Sequence, residues 1–111
     1  MRGLLVRQPW LDLILSGAKV WELRSRPTRK RGKIFLVDML PGGRWVVRGS
    51  VRIVRVVKLT RRRFARGRRK HRVRTYARQF QYAWVLAEPR RLRTARRVPR
   101  KPGPVVWVRL P

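Results

Sequence analysis

Strand-forming runs outnumber helix-forming ones along these 111 residues, which predicts an α+β chain built as a small β-barrel with one or two packed helices. Three observations carry that prediction. Short apolar runs bounded by turn residues recur at 3–7, 33–39 and 82–87. A long stretch from Trp45 to Leu59 sets Val51, Ile53 and Val56-Val57 against Arg52, Arg55 and Lys58, the alternation of a half-buried strand. A hydrophobic share of 43% with five Trp is enough to build a core, and the length fits one domain spanning 1–111.

Gly3 to Arg7 reads as the first strand. Pro9 suits the first turn of a helix whose apolar face is Trp10, Leu11, Leu13, Ile14 and Leu15, and Ser16-Gly17 ends it. Lys19 to Ser25 reads as a strand, Arg26 to Lys33 as a basic loop, and Lys33 to Met39 as a strong strand before the Pro41-Gly42-Gly43 turn. Along Trp45 to Leu59 the alternation slips near Val54-Arg55, which predicts a bulge. Thr60 to Arg72 is so dense in cations that order is expected mainly from a partner. Val73 to Phe80 reads as a short helix and Tyr82 to Ala87 as a strand. Arg90 to Lys101 reads as a basic extension and Val105 to Leu110 as a closing strand.

Charge dominates the composition. Thirty-two Lys and Arg stand against four Asp and Glu, a net charge of +28. Self-repulsion at this density is relieved by a polyanion, so nucleic acid is the expected partner. Arg outnumbers Lys 26 to 6. Its planar fork of donors fits phosphate bidentately and stacks on bases. There is no Cys, one His and only four carboxylates far apart in sequence, so no metal site and no cofactor is expected. Arg7 interrupts the first apolar run, and no run approaches the about 20 residues that span a bilayer. The expected location is cytoplasmic, with no membrane partner and no obligate homo-oligomer.

The segment Gly17-Ala18-Lys19-Val20-Trp21-Glu22-Leu23-Arg24 resembles the ASCH family signature G-x-K-x-x-E-x-R, with Gly17, Lys19, Glu22 and Arg24 at its four named positions. Gln8-Pro9-Trp10 before the helix, Tyr82 to Leu86 followed by Pro89 and Leu92, and Val106-Trp107-Val108 resemble the family's flanks, so the likeness covers nearly the whole chain. It implies a PUA-like barrel with RNA-linked roles. Some ASCH members are hydrolases that use a Lys with a Thr three positions later. Here Lys19 is followed at that distance by Glu22, so the hydroxyl nucleophile is missing and weight moves from catalysis to binding. On a regular strand Glu22 and Arg24 share one face, as a local ion pair or as the wall of a cleft. Lys19 joins them if the strand begins only at Val20. If the protein is an enzyme, these three residues are its candidate catalytic set.

The expected function is RNA binding as a ribosomal or ribosome-associated component, through phosphate contacts and shape recognition of folded rRNA beside neighbouring ribosomal proteins. The candidate contacts lie in three segments. They are Arg26, Arg29, Lys30, Arg31 and Lys33 in 26–33; Arg61, Arg62, Arg63, Arg66, Arg68, Arg69, Lys70, His71 and Arg72 in 61–72; and Arg90, Arg91, Arg93, Arg96, Arg97, Arg100 and Lys101 in 90–101. Arg52 adds to them from an open strand face. Tyr76, His71 and Phe64 are candidate stacking residues, with core packing the favoured fate of Phe64. The other readings are an RNA-processing or nucleoside-modifying enzyme and, behind it, a DNA-binding protein.

Overall fold

A computed structural model describes residues 1–101 and 106–110. Its elements are β1 (Arg2–Leu5), α1 (Trp10–Leu15), β2 (Trp21–Arg24), β3 (Gly32–Met39), β4 (Trp45–Lys58), α2 (Arg61–Arg66), α3 (Arg68–His71), β5 (Tyr82–Val98) and β6 (Trp107–Arg109). The six strands form one sheet in the order β2-β5-β4-β3-β1-β6. β1 runs parallel to β3, and every other pairing is antiparallel. The sheet curls into a half-barrel with three short helices, an α+β arrangement.

This corrects two expectations. Among the described residues there are three helices, not one or two, and the sheet is a half-barrel whose edge strands β2 and β6 do not pair with each other. Side chains bridge the gap in place of a ladder. Arg24 Nη2 donates to the Leu5 carbonyl at 3.1 Å, and Trp84 of β5 stacks on Trp107 of β6 at 5.8 Å between ring centroids.

The long alternating stretch is β4, and the slip near Val54 is real. The β4–β5 register shifts between Ile53 and Arg55, and again between Ser50 and Arg52 and between Val47 and Gly49. Alternation buries Val51 and Ile53 while Arg52 and Arg55 face out. Three clusters make the core. Leu4, Ile34, Leu36, Val51, Ile53 and Leu86 pack with Leu11, Ile14 and Leu15 of α1. Val37, Trp45, Val47 and Val108 form the second. Leu23, Leu59, Phe64 and Ala83 form the third, beneath α2.

Three further expectations need correction. The 61–72 run is not left to a partner for its order, because it folds into α2 and α3. Thr60 caps α2, its Oγ1 accepting from the Arg63 N–H at 3.1 Å. Val73 to Phe80 is not helical, since Arg72 at φ 65° takes the left-handed conformation that ends α3. The 90–101 segment is not a separate extension, because β5 continues through it to Val98 along the free side of β4. Glu88 at φ 53° and Pro89 mark the bulge where the two expected pieces join. Val105, the expected start of the last strand, lies with Pro102 and Pro104 outside the described residues.

Candidate functional site

The turn after α1 sets the site. Gly17 adopts φ +85°, which reverses the chain at no steric cost and delivers Lys19 ahead of β2. Because β2 begins only at Trp21, Lys19 escapes the strand's alternation and its Nζ comes 3.8 Å from Glu22 Oε1. Arg24, two residues beyond Glu22 on the same strand face, takes the other carboxylate oxygen at 2.9 Å. The structure therefore brings Lys19, Glu22 and Arg24 together, with Glu22 between two cations.

The three are not equally accessible. Glu22 and Arg24 line a cleft of about 540 Å³ with Leu5, Arg7, Gln79 and Phe80. Lys19 lies behind them, 2% exposed. Its ammonium donates to the His71 carbonyl and sits 5.0 Å from the Trp10 ring centroid. Desolvation pushes its pKa down to about 8, against the pull of Glu22 and with a smaller push from Arg24. A second cleft of about 370 Å³ adjoins the first at Arg24 and is lined by Trp84 and Trp107. Among the described residues no group of His, Asp or Glu is arranged to hold a metal ion, and no helix is long and apolar enough to cross a membrane.

The motif turn also holds α3 in place. Val20 N–H donates to the Lys70 carbonyl at 2.8 Å, Lys19 takes the His71 carbonyl, and Arg72 Nε returns a bond to the Ala18 carbonyl at 2.8 Å. Cations and N–H groups thus meet the carbonyl end of α3. Gly67, between α2 and α3, lies against Trp21, and a Cβ there would come within 2.7 Å of that ring.

His71 is the residue that sequence reasoning misplaced. It is fully buried, so it presents nothing to a phosphate. Its ring stacks on Phe64 at 4.3 Å and 19°. Nε2 donates to the Phe64 carbonyl at 2.7 Å and Nδ1 accepts from the Val73 N–H at 2.9 Å, an arrangement that requires the neutral ring. Burial accordingly lowers its pKa. The signal was present: Phe64, Gly67 and His71 recur at i, i+3 and i+7, a buried helical stripe inside the Arg run.

Most of the other candidate contacts point outward. In 61–72, Arg61, Arg62, Arg63, Arg66, Arg68, Arg69, Lys70 and Arg72 are all exposed. In 26–33, Arg26, Arg29, Arg31 and Lys33 are exposed and Lys30 is half-buried, with Lys33 already inside β3. Arg52 and the Arg residues of 90–101 are exposed as well. Among the described residues five of these cations make ion pairs or hydrogen bonds: Arg52 pairs with Glu88 at 3.0 Å, Arg91 with Asp12 at 3.4 Å, Arg72 donates to the Ala18 carbonyl, Arg63 Nη1 to the Lys58 carbonyl at 2.7 Å, and Arg31 Nη1 to the Thr28 and Lys30 carbonyls at 2.8 and 2.9 Å. Phe64 is in the core, and Tyr76 is half-buried against it.

The half-barrel thus carries a buried Lys19 and a Glu22–Arg24 pair at its first helix–strand turn, the residues of the ASCH-like signature. The ASCH domain model matches residues 4–95, and the chain belongs to that family. As a class, ASCH domains are RNA-binding-like. The fold is similar to the crystal structure of a mutant ZmASCH protein from Zymomonas mobilis, with a TM-score of 0.75 and 16% identity over 99% of this chain and 87% of that one. Among curated proteins none matches the chain.

Proposed function

We propose that this protein is an RNA-binding structural component, ribosomal or ribosome-associated in the cytoplasm, that contacts rRNA through its Arg-rich surface. One observation carries the reading. All four carboxylates of the sequence are engaged, Glu22 by Lys19 and Arg24, Asp38 by Arg48, Glu88 by Arg52 and Asp12 by Arg91. Most exposed cations of 26–33, 61–72 and 90–101 therefore face solvent with no carboxylate partner among the described residues. Phosphate is the anion that such a surface fits, and Arg is the side chain that takes it bidentately.

The test is sedimentation with ribosomes through a high-salt cushion, with a nuclease-treated control. The protein is expected to pellet with ribosomes and to be released by nuclease. Binding through about eight phosphates alone changes affinity by about ten-thousandfold between 50 and 200 mM salt, so complete release at moderate salt marks nonspecific association and defeats the structural reading. Equal partition onto bulk DNA favours the DNA-binding alternative.

A second reading rests on the motif cleft. Lys19, with its pKa near 8, stands beside a carboxylate that lines a cleft of about 540 Å³, a pairing suited to acid–base chemistry on a nucleoside or RNA. It ranks behind the first because the ammonium is turned to the His71 carbonyl and is shut off from the cleft. Turnover of an acylated nucleoside that is abolished by Lys19→Ala would reverse the ranking.

A further inference from the structure

A third cleft, at the far end of β4, shares Phe80 with the motif cleft but none of the motif residues. It holds about 530 Å³ and is lined by Lys58, Arg61, Tyr76, Arg78, Phe80 and Gln81, with Leu59 at its base. Three of these side chains are cations, two are aromatic and none is acidic. Only Arg61 falls within the Arg runs that dominate the sequence; Lys58, Tyr76, Arg78, Phe80 and Gln81 come from outside them.

The cleft is built on fixed parts. The Arg61 guanidinium lies over the Tyr76 ring at 4.6 Å from its centroid. Tyr76 meets Phe64 edge-on at 5.3 Å, and Phe64 is stacked on the buried His71. The aromatic floor is therefore anchored in the core. Leu59 N–H donates to the Gln81 carbonyl at 2.8 Å, and Gln81 N–H to the Arg24 carbonyl at 3.2 Å, which ties the opposite wall to β2 and β4. Lys58, Arg61, Arg78 and the Gln81 side chain remain exposed at the rim.

The ligand chemistry follows from what is combined. A plain phosphate site needs cations but no rings. An apolar pocket needs rings but no cations. A planar Arg–Tyr pair with a second ring, three cations and a side-chain amide fits a group that has a π-face, a phosphate and polar edges together. In a duplex the base faces are stacked on one another and out of reach. In a single strand they are free to stack on aromatic rings or guanidinium planes.

We propose that this cleft receives an unpaired nucleotide of the bound RNA, its base stacked against Arg61 and Tyr76, its phosphates held by Lys58 and Arg78, and its edge met by Gln81. The proposal rests on the RNA-binding reading and deepens it. The Arg-rich surface holds folded RNA by charge, and this cleft selects a position where the strand is open. Phe80 also lines the motif cleft, so the two clefts adjoin along one face.

The experiment compares binding of a single-stranded RNA of ~8 nucleotides, within the site size of such platforms, and of an RNA duplex by the full-length protein at one fixed salt concentration. Tyr76→Leu is expected to weaken single-strand binding about tenfold, the scale of one lost stacked base, while duplex binding is unchanged. Tyr76→Phe keeps the ring and is expected to bind as the parent does. Arg78→Gln should lower the salt slope for the single strand by about one. A strand carrying 4-thiouridine should photocrosslink to Tyr76 or Phe80 in the unaltered protein, a result that does not depend on Tyr76→Leu folding. Crosslinks confined to residues 62–66 of α2, α3 and β5, or a folded Tyr76→Leu with unchanged single-strand affinity, overturn the proposal. If the parent binds both RNAs and the variants are inert, the cleft assignment alone fails. If the parent binds neither RNA, the RNA-binding reading fails with it.

Discussion

The two longest cationic runs have similar compositions and are ordered by opposite means. Residues 61–72 are held through side chains and caps: Phe64 and His71 are buried, and Lys19, Val20 and Arg72 link α3 to the motif turn. Residues 90–98 are held through backbone at their two ends, 90–91 and 96–98. Arg90 pairs with Ser50, Arg91 with Gly49, Arg96 with Val47 and Arg97 with Val46, and every side chain from Arg90 to Arg97 is exposed before Val98 turns inward. A charge run can therefore be rigid without neutralising its charge. In the helical run, two buried rings and a few capped carbonyls suffice. In the strand, the ladder of β4 suffices and the side chains are left for other use.

The comparison predicts that a single core substitution collapses the helical run. His71→Ala removes a ring stacked in the core and leaves the Phe64 carbonyl and the Val73 N–H without their side-chain partner. The expected cost is about 4 kcal/mol, read by urea denaturation, with loss of protection at α2 and α3 in hydrogen exchange and retained protection in β4 and β5. Since the folded protein holds His71 below its ordinary pKa, the unfolded chain binds the extra proton first as pH falls. Stability should then drop below about pH 6.5, with a limiting slope near 1.4 kcal/mol per pH unit, and His71→Gln should flatten that slope.

Lys19 joins the two regions of the site and carries the next effect. Its folded pKa of about 8 lies below its ordinary 10.5, so both states are charged below pH 8 and the penalty of burial is fully present there. As pH rises from about 8 to 10.5 the folded state releases its proton first, and stability rises relative to a chain without this group. Lys19→Met should therefore lose its relative advantage across that window, by up to about 3 kcal/mol. Paired urea titrations at pH 7, 8.5 and 10 check the sign. A difference that stays flat with pH would mean that the ammonium is well solvated.

The motif and the main strands were legible because their signals are local. The spacing of Gly17, Lys19, Glu22 and Arg24 sits in one turn and one strand, and the slip near Val54 in the alternation of β4 marks a true register shift. What could not be read was set by distant or masked partners. The His71 carbonyl that takes Lys19 is 52 residues away. The Phe64–Gly67–His71 stripe is hidden because cations fill the positions between, and a run of like charge reads as solvated. β5 beyond Pro89 has no inward-facing pattern of its own until Val98, and its pairing depends on how far β4 extends beside it.

The strand run should be the mirror image of the helical one, tolerant in stability and sensitive in binding. Between Gly49 and Val47 the register on β5 passes from Arg91 to Arg96, so Leu92, Arg93, Thr94 and Ala95 have no partner on β4. Arg93 lies in that excursion, and Arg96 opposite Val47 is fully on the surface. Arg93→Gln and Arg96→Gln are each expected to change stability by no more than about 0.5 kcal/mol. Each should instead lower the salt dependence of RNA binding by about one phosphate contact, read as the slope of log affinity against log salt. If the slope is unmoved, this strand is ordered for the sheet alone and the RNA lies on the helical run. If stability falls by several kcal/mol, backbone pairing is not what holds the strand, and the contrast between the two runs fails.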